Sequence, residues 1–552
     1  MIRPTESRTT GGGDSLDTNG AAARAARGDR IGAAARSIPP AIAFGSAIGL
    51  SAFLLFTVQP MVGRLVTPTF GGAPAVWTTA LAFYQVVLLA GYAYAHLVAT
   101  RLSPRSGVVL HGALVAATIA FALVRPSPQL LATGSGQAVA SLVGLLAAII
   151  GPQAFLLCAT TPLVSTWYAR VRRATDPTAD ARDPYWLYAL SNGGSLLALL
   201  AYPFLIEPRL GLSAQLGLWT SGLVVLGVAI AGAGAVHLAY VVAAAPAVDA
   251  NPRDAPASRD PRPAHAPTRT ARLTWVGLAA IPTALLSAVT NQVTTDLISA
   301  PLLWVVPLAI YLASFIVAFS SRGVTLVRSA LVIAPVALTL LWIPSGSAGV
   351  WPIVPLLVIE YGALGVVAVA VHGRLAGSRP PDNRLTEFYL LLSTGGAIGG
   401  VFVAVVAPLV FKGVWELPIV IVAALVALAL TAPPQRPLRP IRAMLRGWPG
   451  RLAPYLIVVI PLLLAMTGNG GVGLEAAARW ILVGGLVLLL GGAGRFLALT
   501  TAAVLVLATF VLSPAAVFRD RSFFGVVEVL RGPEEVVLMH GTTVHGRMAV
   551  DP

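Results

Sequence analysis

The chain has 552 residues, of which 57% are hydrophobic and only 11% charged, with a mean hydropathy of +0.81. A soluble surface needs roughly a quarter of its residues charged, so a set of soluble domains is excluded. The formal charge of +15 does not point to nucleic acid, because the arginines sit in short loops between apolar blocks rather than on one face. Lys412 is the single lysine and Cys158 the single cysteine, which excludes an internal disulfide framework and a cysteine-rich metal site.

In chain order, residues 1–38 are rich in Gly, Ala, Ser and Arg and read as a disordered tail. The first apolar block starts near Ala41, too far in for a signal peptide, and reads as a retained helix. Apolar blocks of about 20 residues, the length that spans a bilayer, then follow one another. Residues 39–244 form a first membrane half, with spans at 41–58, 75–98, 107–124, 139–168, 185–206 and 214–244. Gly151-Pro152 marks the fourth for a kink. Residues 245–272 alternate Pro, Asp and Arg with small residues and read as a cytoplasmic linker, in which His265 is solvated. Residues 273–432 form a second half, with spans at 273–292, 301–320, 326–343, 351–371, 386–410 and 417–432. An Arg-rich loop at 433–451 leads to further membrane helices within 452–518, at 452–466, 477–493 and 496–515.

Arginine placement orients the chain. With the N-terminal tail in the cytoplasm, Arg101, Arg105, Arg170, Arg172, Arg173, Arg322, Arg328, Arg374, Arg379 and Arg384 all fall inside. The opposite loops carry only Arg64, Arg125, Arg209 and Lys412. This is the pattern of a multi-pass membrane protein with a cytoplasmic N-terminus.

The two halves repeat. Ala73-Pro74-Ala75-Val76-Trp77 opens the second span and Ala300-Pro301-Leu302-Leu303-Trp304 the eighth, and each tryptophan is followed seven residues later by a tyrosine, Tyr84 or Tyr311. Ser191-Asn192-Gly193-Gly194 in span five matches Ser393-Thr394-Gly395-Gly396 in span eleven. Each pair lies six spans apart, so both copies run in the same direction. A parallel six-plus-six repeat is the architecture of major facilitator transporters, and the expected fold is an all-α membrane protein of that kind with two or three added helices. The glycines themselves read as close-packing positions.

Polar residues inside apolar blocks are the candidate site. Glu360 lies within the tenth span. Gln59 and Arg64 at the end of span one correspond to Asn291, Gln292 and Asp296 at the end of span seven. Two readings stand: these residues line a central cavity from both sides, with Arg64 and Asp296 at its outer mouth, or they bond headgroups and helix ends. Gln85, His96, Gln153 and Asn192 read as helix–helix hydrogen bonds. Gly468 to Gly473 matches G-x-G-x-x-G without a strand before it and is a false positive. No catalytic or metal-binding constellation and no resident cofactor is expected.

After the last span, Phe523–Leu530 and Val536–His540 read as strands joined at Gly532-Pro533, a short β-hairpin in residues 519–552. The blocks LLFTVQPMVGRLVTPTFGGAPAVWTTALAFYQ, DPYWLYALSNGGSLLALLAYPFLIEP, TTDLISAPLLWVVPLAIYL and LTEFYLLLSTGGAIGG, with the tail RSFFGVVEV…HGTTVHG, resemble the fused major-facilitator/spermidine-synthase proteins of bacteria. The resemblance implies an aminopropyltransferase-type domain that binds decarboxylated S-adenosylmethionine. It also implies that the Gly-rich nucleotide loop, the ribose-binding acid and the catalytic aspartate lie beyond Pro552, so no catalytic residue is carried over.

Three functions follow as expectations: a transporter-like module for a small solute such as a polyamine, a subunit of a two-chain aminopropyltransferase with a separate catalytic chain, or a membrane scaffold. The first added span, 452–466, is short and contains Pro461, and Arg519, Arg521 and Arg531 follow the last span. Fourteen crossings and a cytoplasmic C-terminus are therefore expected.

Overall fold

A computed structural model describes residues 39–71, 74–124, 138–176, 183–243, 266–294, 304–342, 353–431, 516–522, 525–532, 534–541 and 543–550. Twelve helices appear in the order the apolar blocks require. In the first half they are α1 (Pro40–Phe70), α2 (Pro74–Arg101), α3 (Pro104–Val124), α4 (Ala138–Thr175), α5 (Trp186–Ala201) and α6 (Leu212–Ala243). In the second they are α7 (Arg269–Gln292), α8 (Val305–Phe319), α9 (Val324–Trp342), α10 (Ile353–Gly377), α11 (Leu385–Val401) and α12 (Glu416–Thr431). Among the described residues nine helical segments are long and apolar enough to cross a membrane, and α8, α9 and α12 contribute shorter apolar ones. Large apolar side chains such as Leu197, Phe204, Val228, Val358 and Leu409 stay exposed on the helical bundle, as lipid-facing positions do. This is a multi-pass membrane architecture.

Helix limits differ from the sequence reading where local chemistry extends them. α1 does not stop at residue 58 but runs through Pro60 and Pro68 to Phe70. A proline removes one ladder bond, and the buried neighbours Val58, Met61, Val62 and Val66 hold the helix together around it. α4 likewise runs unbroken through Pro152 and Pro162. The expected linker 245–272 ends earlier, because Thr268 caps α7 by accepting a hydrogen bond from the Ala271 amide at 3.1 Å. The tail 1–38, Asp296, the Arg-rich loop 433–451 and the expected spans at 452–466, 477–493 and 496–515 lie outside the described residues.

Each half has its own buried core, and a small third cluster, including Leu199, Leu286, Trp304 and Leu308, joins them. The helix pairings of the first half recur six helices later. α1 packs on α4, α5 and α6, and α7 packs on α10, α11 and α12. α2 meets α4 as α8 meets α10, and α3 meets α6 as α9 meets α12. Across the junction α2 meets α11, and α8 meets α5. Glycines in and just after the two matched motifs, though not at the same motif position, allow α5 to approach α1 and α11 to approach α7. A Cβ on Gly194 would come within 2.7 Å of the Gly49 carbonyl oxygen of α1, and Cβ atoms on Gly395 and Gly399 would overlap the Val276 and Ala280 carbonyls of α7.

α5 and α11 also end alike. A π-helical turn, Tyr202–Ile206, follows α5, and another, Phe402–Val406, follows α11 before a last turn Ala407–Val410. The Glu207 amide donates to the Tyr202 carbonyl, and the Ala407 amide to the Phe402 carbonyl, each five residues back. Pro203 and Pro408 lie at these turns and each removes a ladder donor.

The C-terminal segment is a four-stranded antiparallel meander rather than a single hairpin. Its strands are β1 (Ala516–Ser522), β2 (Gly525–Arg531), β3 (Glu535–His540) and β4 (Thr543–Ala549), in that spatial order. The expected hairpin is β2–β3. Strand β1 starts at Ala516, so the expected boundary between residues 518 and 519 moves back by three residues. Arg519 pairs with Glu528 across β1–β2, Nε to Oε1 at 2.6 Å. Within the sheet Val526 is buried among the described residues and β4 is exposed throughout. A lone sheet with so little core is marginal in water.

Candidate functional site

The candidate residues on α7 lie in its last turn. Thr290 back-bonds to the Leu286 carbonyl at 2.7 Å, so its hydroxyl is satisfied locally. Asn291 and Gln292 are consecutive, hence about 100° apart on the helix, and serve different neighbours. Gln292 Nε2 donates to Glu360 Oε1 on α10 at 2.9 Å, and Asn291 Nδ2 donates to Glu416 Oε1 on α12 at 3.3 Å. Both carboxylates are fully buried.

Glu416 opens α12, where its charge complements the helix dipole. Its main partner comes from the C-terminal sheet. Arg521 on β1 reaches Glu416 with both terminal nitrogens, Nη2 to Oε1 at 2.8 Å and Nη1 to Oε2 at 3.1 Å, and Nη1 also donates to the Gly413 carbonyl at 2.8 Å. The guanidinium side chain is only 7% exposed. This two-pronged charged contact is stronger and more directional than a single bond, and it fixes the sheet against the bundle.

The first-half candidates are placed elsewhere. Arg64 pairs with Glu207 just beyond α5 at 3.2 Å, but remains 45% exposed, so the pair contributes about 0–1 kcal/mol. Gln59 lines a cavity of about 20 Å³ with Gly63, Trp77, Tyr84, Leu146 and Trp304, room for about one water. Asn291, Gln292 and Glu360 are not among its walls. The structure thus brings Asn291, Gln292 and Glu360 together, sets Gln59 and Arg64 apart from them, and leaves Asp296 outside the described residues.

Among the described residues, contacts bridge the junction between the halves at both ends. At the end bearing Arg64 and Glu416, Trp77 of α2 stacks on Trp304 before α8, with ring centroids 6.0 Å apart and planes inclined by 25°. At the arginine-rich end, Arg173 meets Asp382 at 3.4 Å, and Tyr185 Oη donates to the Pro380 carbonyl at 2.9 Å. The Arg379 guanidinium lies 5.5 Å from the Tyr185 ring centroid. His96 Nδ1 and Thr386 Oγ1 are 2.9 Å apart, a bond between α2 and α11. Beneath them Tyr188 stacks on Tyr389 at 5.0 Å and meets Phe315 edge-on at 5.3 Å. Asn192 instead bonds within its own helix, to the Tyr188 carbonyl.

Sequence reasoning missed Glu416 and Arg521. Glu416 stands at a helix boundary, where an acid is ordinary, and Arg521 stands in a run of tail arginines, where charge is normally solvated. Among the described residues no three His, Cys, Asp or Glu side chains converge as metal ligands. Compared with known proteins, the chain matches no family model and no curated protein.

Proposed function

We propose that this chain is a transporter-like membrane module whose two six-helix halves are parallel copies, as in major facilitator transporters, and move against each other to pass a small solute. The observation that carries this reading is the recurrence of the helix pairings six helices on, together with a junction pinned by short contacts at both ends. Alternating access needs contacts at each end that can break in turn, and short contacts of this kind lie at both ends. The Gln292–Glu360 pair is the coupling group, since a carboxylate buried among apolar helices can take up and release a proton or a cation. The solute class that suits such an acid is an organic cation of the polyamine type, in line with the resemblance to fused major-facilitator/spermidine-synthase proteins. The arginine distribution supports an N-terminus in the cytoplasm, and the resemblance to those bacterial proteins supports a bacterial inner-membrane location.

Uptake of labelled putrescine or spermidine into vesicles carrying the purified protein tests the reading. Saturable uptake that Glu360→Gln reduces at least tenfold is expected. Equal accumulation in vesicles with and without the protein removes the transport reading.

A second reading is favoured by the buried Arg521–Glu416 contact: the bundle anchors a catalytic chain of the aminopropyltransferase type, which the sheet would join. Co-purification of such a chain with the full-length protein, lost on deleting residues 516–550, is its expected signature.

A further inference from the structure

The side of the bundle on which the sheet docks is fixed by residues, not by loop counting. Glu416 and Gly413 belong to the connection between α11 and α12. That connection lies at the same end as Arg64–Glu207 and the Trp77–Trp304 stack, the ends where α1 finishes and α2 and α8 begin. The arginine-rich connections, with Arg101, Arg173, Arg272, Arg322, Arg379 and Arg384, lie at the other end. Arg521 is nearly buried and makes three hydrogen bonds there, two to a carboxylate that the rest of the protein also encloses. An exposed pair would be a weak guide to docking. A desolvated, two-pronged pair is not, because separating it strands a buried charge.

We infer that the C-terminal sheet sits on the membrane face opposite the arginine-rich loops, outside the cytoplasm, latched into the mouth of the bundle by Arg521. This rests on the orientation proposed above. It replaces the expected cytoplasmic C-terminus, since α12 ends at Thr431 on the arginine-rich side and β1 packs on the other. Two of the three arginines after the last span, which argued for the inside, have structural employment instead: Arg521 holds Glu416 and Arg519 holds Glu528. The latch also reaches the candidate site. Glu416 is shared between Arg521 and Asn291, and the next residue, Gln292, holds Glu360. Sheet docking and the coupling carboxylate therefore act on the same helical turn.

The chain's single cysteine, Cys158, is buried, so introduced thiols report cleanly. Thr543→Cys on exposed β4 and Ser103→Cys between α2 and α3 are compared in intact bacterial cells with a membrane-impermeant maleimide. Thr543→Cys is expected to react before permeabilisation and Ser103→Cys only after it. Protection of Thr543→Cys until permeabilisation, or reaction of both positions together, overturns the assignment of sides. For the latch, Gly413 is buried and its carbonyl accepts from Arg521, so a thiol at Gly413→Cys, beside Trp415 and Arg519, should label at least about tenfold faster when Arg521→Glu is added. Restoring protection with Glu416→Arg in that background separates loss of the pair from misfolding. An unchanged rate in Arg521→Glu, or no recovery in the swapped pair, overturns the latch. Labelling gives the same answer whether or not the protein carries a solute, so this proposal and the transport reading fail separately.

Discussion

A carboxylate among apolar helices is stable only if donors reach it, and the last turn of α7 supplies two amides in consecutive positions. Glu360→Ala leaves Gln292 without its acceptor in a buried site and should destabilise the protein by about 1–3 kcal/mol. Glu360→Gln keeps an oxygen that can accept and should cost less; unfolding in a graded denaturing detergent compares the two. Arg521→Ala strands the buried Glu416 and should cost about 3–5 kcal/mol, whereas Arg64→Ala, at a partly exposed pair, should cost about 0–1 kcal/mol. Glu360, Asn291 and Gln292 were legible as polar residues inside apolar blocks. Their partners were not, because nothing local in the sequence ties Arg521 to a residue 105 positions away.

At the scale of elements, the apolar blocks located all twelve described helices, because length and hydropathy are local properties. Their ends were less legible. α1 outruns its block by three turns because packing holds the helix through Pro60, and α7 starts inside the apparent linker because Thr268 caps it. Packing of α5 on α1 turns on a single hydrogen atom at Gly194. Gly194→Val should force the helices apart at a cost of about 1–3 kcal/mol. Gly193→Val should be near neutral for packing, since a Cβ there meets nothing within 4 Å. Thermal unfolding of the two neighbouring variants in detergent distinguishes them. The paired π-helical turns after α5 and α11 have no comparable sequence signature; Pro203 and Pro408 mark them only once the helices are seen.

For the whole molecule, the short repeat around Trp77 and Trp304 pointed to a relation between the halves, with which the helix pairings that recur six helices on agree. What it did not announce is that the two tryptophans touch each other. Repeat copies reveal symmetry, but contact across the symmetry depends on where the axis runs. Removing one ring should loosen that end of the junction: with Trp77→Ala, a thiol placed at Gln59 should label faster from the arginine-poor side, and an unchanged rate would show that the stack does not bar access. The stack has a further consequence. Two indoles held face to face at this distance share their electronic transitions, and that coupling fades steeply as the rings part or tilt. The near-ultraviolet dichroism contributed by this pair, isolated as the difference between the protein and its Trp77→Phe variant, is an optical gauge of the separation between the two halves, installed by the sequence and readable in native membranes without any added dye.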